Sequence, residues 1–388
     1  MVAQSTYVRQ EPASEGSSFV PADPAWLVLE DGVAFQGVRI GASREAGGEV
    51  VFTTSMTGYQ EVVSDPSYRG QIVVMAYPLI GNYGFSPGAW EAPGPHVAGF
   101  IVREAASVAS HHLSRETLHR FLLGHQVAGL SGVDTRALVR HLRMHGLQRG
   151  VIADDSSAET EARAAAIPSL SQQDLVGQVS RASPLVLPGR GPRIVILDCG
   201  VKAGIVEALR RRGCEVVLVP HTTSAGEVRV FAPDGVLLSN GPGDPAILRD
   251  VIGTVQSLME TYPVMGVCLG HQLLALACGG RTYKMKFGHR GSNQPVIEMA
   301  AGPSTGSRPA RVMITTQNHG FVVDPHLPTS LEVTHLNLND GTVEGIRHRD
   351  LPAFSVQFHP EGRPGPTDAE FLYDRFLGLV RERAHHGS

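Results

Sequence analysis

A cysteine between glycines, Gly266-Val267-Cys268-Leu269-Gly270, is where this chain is best equipped for covalent chemistry. An apolar, strand-like run at 263–267 leads into it, and a helix-compatible run at 271–278 leads out. Glycines at such a junction permit a sharp turn that projects the side chain above the end of a sheet. The positive end of the following helix favours negative charge there, and its free N–H groups can hold a developing oxyanion. Further on, Phe358-His359-Pro360-Glu361 closes another strand-like run, 353–358. Residues two apart in an extended segment project to the same side. Cys268, His359 and Glu361 therefore read as nucleophile, base and orienter. A cysteine elbow alone fits amidases, esterases and peptidases equally. A buried core cysteine is the competing reading, but it gives the flanking glycines no obvious purpose.

A third element, Leu238-Ser239-Asn240-Gly241-Pro242-Gly243-Asp244-Pro245, also follows an apolar run. Its loop belongs on the same sheet edge as the elbow, where open α/β sheets bind ligands. Glycines around a proline make a rigid loop whose backbone can approach a ligand closely. Neither G-x-x-x-x-G-K-S/T nor G-x-G-x-x-G is formed, so amide and oxyanion binding fits better than phosphate binding.

These elements need a scaffold. From Arg193 onward the chain alternates short apolar runs (194–197, 216–219, 236–239) with amphipathic segments (205–212, 247–260). Fully apolar strands separated by helices predict a parallel sheet covered on both faces. Later runs at 312–316, 331–335, 344–348 and 353–358, with less helix between them, predict further strands, some antiparallel; a last helix is expected at 368–380. The fold class is thus α/β: a mixed, mostly parallel C-terminal sheet with flanking helices, residues 191–388. A smaller β-rich α/β domain is expected over residues 23–155, with strands at 26–29, 50–54, 72–76 and 100–102 and helices at 115–123 and 135–145. Residues 1–22, rich in Ser, Glu, Pro and Ala, read as a disordered tail. Residues 156–190 read as a connector holding a short helix at 158–166.

The 388 residues suit two or three domains, and 42% hydrophobic content supports real cores. A net charge of −4 without basic runs argues against nucleic acid or a membrane surface as partner. No apolar run is long enough to span a bilayer, and the N-terminus lacks a secretion-signal pattern. Four cysteines make no disulfide framework, so a reducing cytoplasm is the expected location. Cys199, Cys214 and Cys278 read as small buried hydrophobes. The histidines are scattered, His111-His112 and His385-His386 read as solvated, and no metal site is expected.

Taken in this order, the three elements resemble the triad-type (class I) glutamine amidotransferases. Other segments narrow the likeness. Phe52-Thr53-Thr54-Ser55-Met56-Thr57-Gly58-Tyr59-Gln60-Glu61, Asp65-Pro66-Ser67-Tyr68, Tyr77-Pro78-Leu79-Ile80-Gly81-Asn82-Tyr83-Gly84 and Gly132-Val133-Asp134-Thr135-Arg136-Ala137-Leu138 resemble the glutamine-hydrolysing small chains of carbamoyl phosphate synthetases. So do Lys284-Met285-Lys286-Phe287-Gly288-His289-Arg290-Gly291 and Gln317-Asn318-His319-Gly320-Phe321. The resemblance runs over residues 25–380. It implies a class I amidotransferase fold and a glutaminase that forms a thioester on Cys268. It further implies ammonia delivery to a large chain that makes carbamoyl phosphate from bicarbonate and ATP, for arginine and pyrimidine synthesis. By the same resemblance, L-glutamine would be held by Ser55, Gly241, Gly243, Leu269, Gln272, Asn318, Gly320 and Phe321. No cofactor is implied in this chain; ATP and Mg would sit on the large partner, joined as a heterodimer or a higher oligomer of heterodimers. An amidotransferase for another synthase, a stand-alone cysteine amidase and a catalytically dead scaffold are the rival readings. Gly362-Arg363 departs from the family, which more often has two small residues there, and would add positive charge near the site. Ser110-His111-His112-Leu113-Ser114 also departs, and residues 1–22 have no clear counterpart.

Overall fold

The computed structural model describes residues 23–299 and 310–386. The expected tail, 1–22, lies outside the described residues, as do the side chains of His385 and His386. Strands β1 (Pro24–Leu29), β2 (Ala34–Gly41), β3 (Ala46–Thr53), β4 (Gln71–Met75), β6 (Gly99–Ile101), β8 (Ala128–Ser131) and β9 (Gln148–Ala153) close into a barrel in the order β1-β2-β8-β6-β4-β3-β9. A minor parallel pair, β5 (Leu79–Ile80) and β7 (Glu104–Ala105), flanks it. Helices α1 (Tyr59–Ser64), α2 (Leu118–Gly124), α3 (Thr135–His145) and α4 (Ala158–Ala166) complete this half. Period-two alternation splits β3 and β4 between two cores: Val50, Phe52, Ile72 and Val74 join one cluster, and Val51, Val73 and Met75 the other.

The barrel strands that sequence reasoning missed, β2, β8 and β9, carry glycines at crowded crossings. A Cβ at Gly37 would stand 2.7 Å from the Ser131 carbonyl oxygen, one at Gly129 2.8 Å from that of Phe100, and one at Gly150 2.7 Å from Val50 Cγ2. These glycines interrupt the apolar runs by which a strand is usually recognised.

Strands β10 (Leu185–Leu187), β11 (Arg193–Asp198), β12 (Glu215–Pro220), β13 (Gly235–Leu238), β14 (Val264–Val267), β15 (Thr282–Glu298), β16 (Arg311–Val323), β17 (Leu331–Asn337), β18 (Val343–His348) and β19 (Ala353–Val356) form one sheet. Its order is β10-β12-β11-β13-β14-β19-β18-β17-β15-β16. The block β12-β11-β13-β14-β19 is parallel, and every other pairing is antiparallel. Helices α5 (Ala203–Arg211), α6 (Ala225–Val230), α7 (Arg249–Met259), α8 (Leu269–Ala277) and α9 (Phe371–His386) cover its faces. On β11, Ile194 and Ile196 pack with Leu209, Leu372 and Phe376, whereas Val195 and Leu197 pack with Val255, Leu258 and Leu273. That two-sided burial explains the continuous apolar run. The stretch expected as a connector is divided between the halves: Ala164 and Ile167 pack on Val151 and Ala153 of β9, and β10 edges the large sheet.

Because β11, β13, β14 and β19 run parallel, their C-terminal ends deliver residues 198–202, 239–243, 268 and 357–361 to one edge. The barrel abuts that edge. Thr54 N–H donates to the Arg290 carbonyl (3.2 Å), Asn240 Nδ2 to Ser67 Oγ (2.9 Å) and Asn318 Nδ2 to Asp65 Oδ2 (3.0 Å). Among the described residues no helix is long and apolar enough to cross a membrane.

Candidate active site

Cys268 stands at the turn from β14 into α8 with φ 55° and ψ −105°, a left-handed backbone that non-glycine residues rarely adopt. The flanking glycines do have a packing reason. A Cβ on Gly266 would lie 2.5 Å from the Gly270 carbonyl oxygen, and one on Gly270 2.2 Å from that of Leu238. Only bare backbone lets α8 start this close to the sheet and aim the sulfur along the edge. Gly270→Ala, which collides with main chain and has no side chain to displace, is expected to cost roughly 1–3 kcal/mol or more. A lower urea midpoint together with lost Cys268 chemistry would bear this out; a wild-type midpoint would refute it.

Cys268 is 2% exposed, and its thiol donates to the Asn318 carbonyl at 3.6 Å. His359 and Glu361, one turn past β19, are both buried, and His359 Nδ1 contacts Glu361 Oε1 at 2.8 Å. His359 Nε2 has no hydrogen-bond partner among the described residues, so the nitrogen that would serve the thiol is uncommitted. Burial works against an imidazolium here, but the Glu361 carboxylate outweighs it. Lys202 pulls the other way and Cys268 adds support, so His359 holds its proton well above the usual imidazole range. Glu361 is held below the usual carboxylate range: burial opposes its charge, and Lys202 and His359 prevail.

Lys202, missed in the sequence, completes this arrangement. It is 1% exposed, and its Nζ donates to Glu361 Oε1 (3.0 Å) and to the Arg363 carbonyl. Burial disfavours its charge, yet Glu361, Glu91 and Asp65 hold its proton more firmly than usual. A lysine between two apolar elements carries no local pattern that announces this role. Tyr373 O–H donates to Glu361 Oε2 at 3.4 Å, giving the carboxylate a third partner. Arg363, expected as extra positive charge, is neutralised by Glu91 (3.0 Å) and Glu207 (2.6 Å).

Beside the sulfur lies a pocket lined by Gly241, Gly243, Leu269, Gln272, Asn318, Gly320 and Phe321, all expected from the sequence, with Ser67, Leu170 and Arg290 in addition. Gly241 has no room for a side chain: its Cβ would meet the Cys199 carbonyl oxygen at 2.2 Å. Gly243 has φ +88°, which favours glycine. Gln272 Nε2 donates to the Phe321 carbonyl (2.7 Å) and Gln357 Oε1 (3.0 Å), which leaves its own oxygen free to accept.

Ser55 does not line this pocket. It lies in a separate cavity with Glu61, Asp65, Lys202 and His359, among the hydroxyls of Thr53 (3.3 Å) and Ser292 (3.4 Å). Ser67 stands in the pocket instead, on the 3-10 turn Pro66–Tyr68, which Asp65 caps through Ser67 N–H (2.9 Å). Asp-Pro at a cap and first position is a legible helix start. Which serine hydroxyl that turn would carry to the other domain is not legible.

His289, His319 and Glu344, all buried, bring ligand-type atoms within 4.8 Å of one another. Their ring nitrogens are already occupied. His289 contacts Asp340 (2.9 Å) and Glu344 (3.5 Å), and His319 contacts the Phe321 carbonyl and Gln317 (both 2.9 Å). The cluster therefore braces the segment that presents Asn318, Gly320 and Phe321.

The description Glutamine amidotransferase class-I matches residues 195–379, and Carbamoyl-phosphate synthase small chain, CPSase domain, matches residues 27–152. The chain is 51% identical over 358 residues to the carbamoyl phosphate synthase small chain of Bacillus caldolyticus, covering 92% of this chain and 96% of that one. It is 48% identical to the Methanopyrus kandleri small chain, with 92% and 99% covered. It is 46% identical to the pyrimidine-specific small chain of Bacillus subtilis, with 93% and 97% covered.

Proposed function

This chain belongs to the carbamoyl-phosphate synthase small-chain family, and on that premise we propose how its residues carry out the glutaminase reaction of that enzyme. It is the glutamine-hydrolysing subunit of a glutamine-dependent carbamoyl phosphate synthase. The Cys268 thiol passes its proton to His359 Nε2 as its sulfur attacks the side-chain amide carbon of glutamine, which leaves the ring an imidazolium. The tetrahedral oxyanion is held by main-chain N–H groups of the kind that the start of α8 and Gly241 supply. Protonated His359 passes a proton to the departing nitrogen, which leaves as ammonia, and a γ-glutamyl thioester remains on Cys268. Neutral His359 then takes a proton from water as it attacks the thioester and returns it to the departing sulfur, so glutamate and the free thiol are released. Glu361 keeps the ring oriented with Nδ1 engaged throughout. Gln272, Ser67 and the glycine-walled loop hold the amino acid's backbone end, with Asn318, Gly320 and Phe321 on the opposite wall.

The observation that carries this reading is the uncommitted His359 Nε2 beside a thiol on a strained elbow, with Glu361 behind it. Ammonia passes to a large chain that holds ATP and magnesium and uses bicarbonate; this chain needs no cofactor of its own for the hydrolytic step. The working unit is a heterodimer or an oligomer of heterodimers in the cytoplasm, feeding arginine and pyrimidine synthesis. The test is ammonia release from glutamine by the purified chain, alone and with a large chain, ATP and bicarbonate. Strong stimulation with carbamoyl phosphate formed is the expected result. High activity alone and indifference to the large chain would remove the partner from the reading.

A further inference from the structure

Helix α5 begins at Ala203, and the residue in its N-cap position is Lys202. A lysine cannot accept from the unpaired N–H groups of a first turn, and no side-chain cap comes from Lys202 itself. The acceptors come from the other half of the chain. The Glu91 main-chain carbonyl accepts from Ala203 N–H (2.8 Å), and Glu91 Oε2 accepts from Gly204 N–H (3.0 Å). Glu91 is 1% exposed and is itself anchored to the barrel half, its N–H donating to Ser64 Oγ at 3.0 Å. Its other carboxylate oxygen lies 3.0 Å from Arg363 Nε. Arg363 in turn supplies the carbonyl that accepts from Lys202 Nζ.

The three groups meet at Gly204. A Cβ built there would lie 2.9 Å from Glu361 Cγ, 3.1 Å from Arg363 Cδ and 3.3 Å from Glu91 Oε2. The first turn of α5 is therefore pressed directly on the side chain that orients His359. Because Glu91 does the capping, the Lys202 side chain is free to turn inward to Glu361. The negative charge of Glu91 also suits the positive end of the helix and balances the buried Lys202 and the half-buried Arg363.

We propose that Glu91, contributed by the barrel half, is a positioning residue for glutamine hydrolysis: it caps α5 and pairs with Arg363, and so holds Lys202 on Glu361. The inference rests on the Cys268–His359–Glu361 reading above. It assigns the N-terminal half a part in the chemistry beyond lining the pocket with Ser67.

The test is Glu91→Gln in the full chain assembled with its large chain, assayed for carbamoyl phosphate formation from glutamine and, separately, from ammonia. Loss of a buried hydrogen bond to a charged group corresponds to a fall in glutamine-dependent kcat of roughly ten- to a hundred-fold. KM for glutamine is expected to stay within about two-fold, since the pocket walls are untouched. Ammonia-dependent synthesis is expected to stay at the wild-type rate. Glu91→Asp, which keeps the charge one methylene short, is expected to recover part of kcat. Wild-type kcat in Glu91→Gln, or an equal loss with ammonia as substrate, would overturn the proposal. If Glu91→Gln does not fold, Gly204→Ala carries the test. Alanine favours the helix by about 1 kcal/mol, so lost kcat cannot be ascribed to a weaker α5. A Gly204→Ala enzyme with wild-type kcat would overturn the proposal equally. A wild-type assembly inert to glutamine but active with ammonia would instead remove the hydrolytic reading itself, and the proposal with it.

Discussion

Cys268→Ala is expected to abolish glutamine-dependent carbamoyl phosphate synthesis, lowering kcat by roughly four orders of magnitude or more, because the covalent route has no substitute once the nucleophile is gone. Ammonia-dependent synthesis by the assembled enzyme should be unaffected, since that reaction bypasses this chain. The substitution removes one buried sulfur and leaves Gly266, Gly270 and the start of α8 in place, so the chain should fold and still associate. Incubation of wild type with glutamine followed by acid quench and mass spectrometry should trap the γ-glutamyl adduct on Cys268. The variant should show none. Glutamine turnover at even a hundredth of the wild-type rate in Cys268→Ala would end the covalent reading.

Lys202→Met is expected to produce the second-largest effect, on stability and activity together. The ammonium and the Glu361 carboxylate are both buried and 3.0 Å apart. Removing one member of such a pair leaves an uncompensated charge and costs roughly 3–5 kcal/mol. Urea denaturation of the isolated chain measures this directly. For activity, the sign follows from the charges around the ring. Lys202 pulls the His359 proton affinity down, against the upward pull of Glu361. Without the ammonium, His359 holds its proton to still higher pH. The alkaline limb of glutamine-dependent kcat, where the imidazolium is lost, should then move upward. The rate on the plateau should fall, because an imidazolium that binds its proton more tightly is a poorer donor to departing ammonia. An alkaline limb that stays put or moves to lower pH would show that the Lys202 charge does not act on His359.

Much of the site was legible before any coordinates. Cys268, His359 and Glu361 are close to their elements in sequence: each follows an apolar strand directly, and parallel strands deliver such residues to one edge whatever lies between them. The same logic placed Gly241 and Gly243. Gln272 was expected from the family resemblance, and one helical turn separates it from Cys268. The position of Ser55 was not legible: it lines the neighbouring cavity with Lys202 and His359, not the pocket beside the sulfur. Two serines, Ser55 and Ser67, flank α1 in the barrel half, and only the angle at which that half meets the sheet decides which of them faces the pocket. Among the elements, α3 was readable from its amphipathic spacing and α4 from its Ala/Glu-rich composition; the structure adds the caps, Asp134 and Ser157, both accepting from the first turn. The glycine-bearing strands β2, β8 and β9 were not, since the glycines that close crossing requires interrupt their apolar runs.

The sequence by itself determined where a cysteine nucleophile could stand, because a nucleophile elbow is a local device. Glycines, a strand end and a helix start within a few residues leave the backbone one sharp way to turn. What the tertiary structure decided is everything that depends on charges meeting across long separations. Lys202 on Glu361, Glu91 on the start of α5, Asp65 on Asn318 and Arg363 between two glutamates are pairings of distant residues. Each is an ordinary surface-type residue until burial strips its water and makes its one partner matter. Local spacing carries no record of that partner, since the free energy of a buried charge is set by what lies within a few ångströms in space.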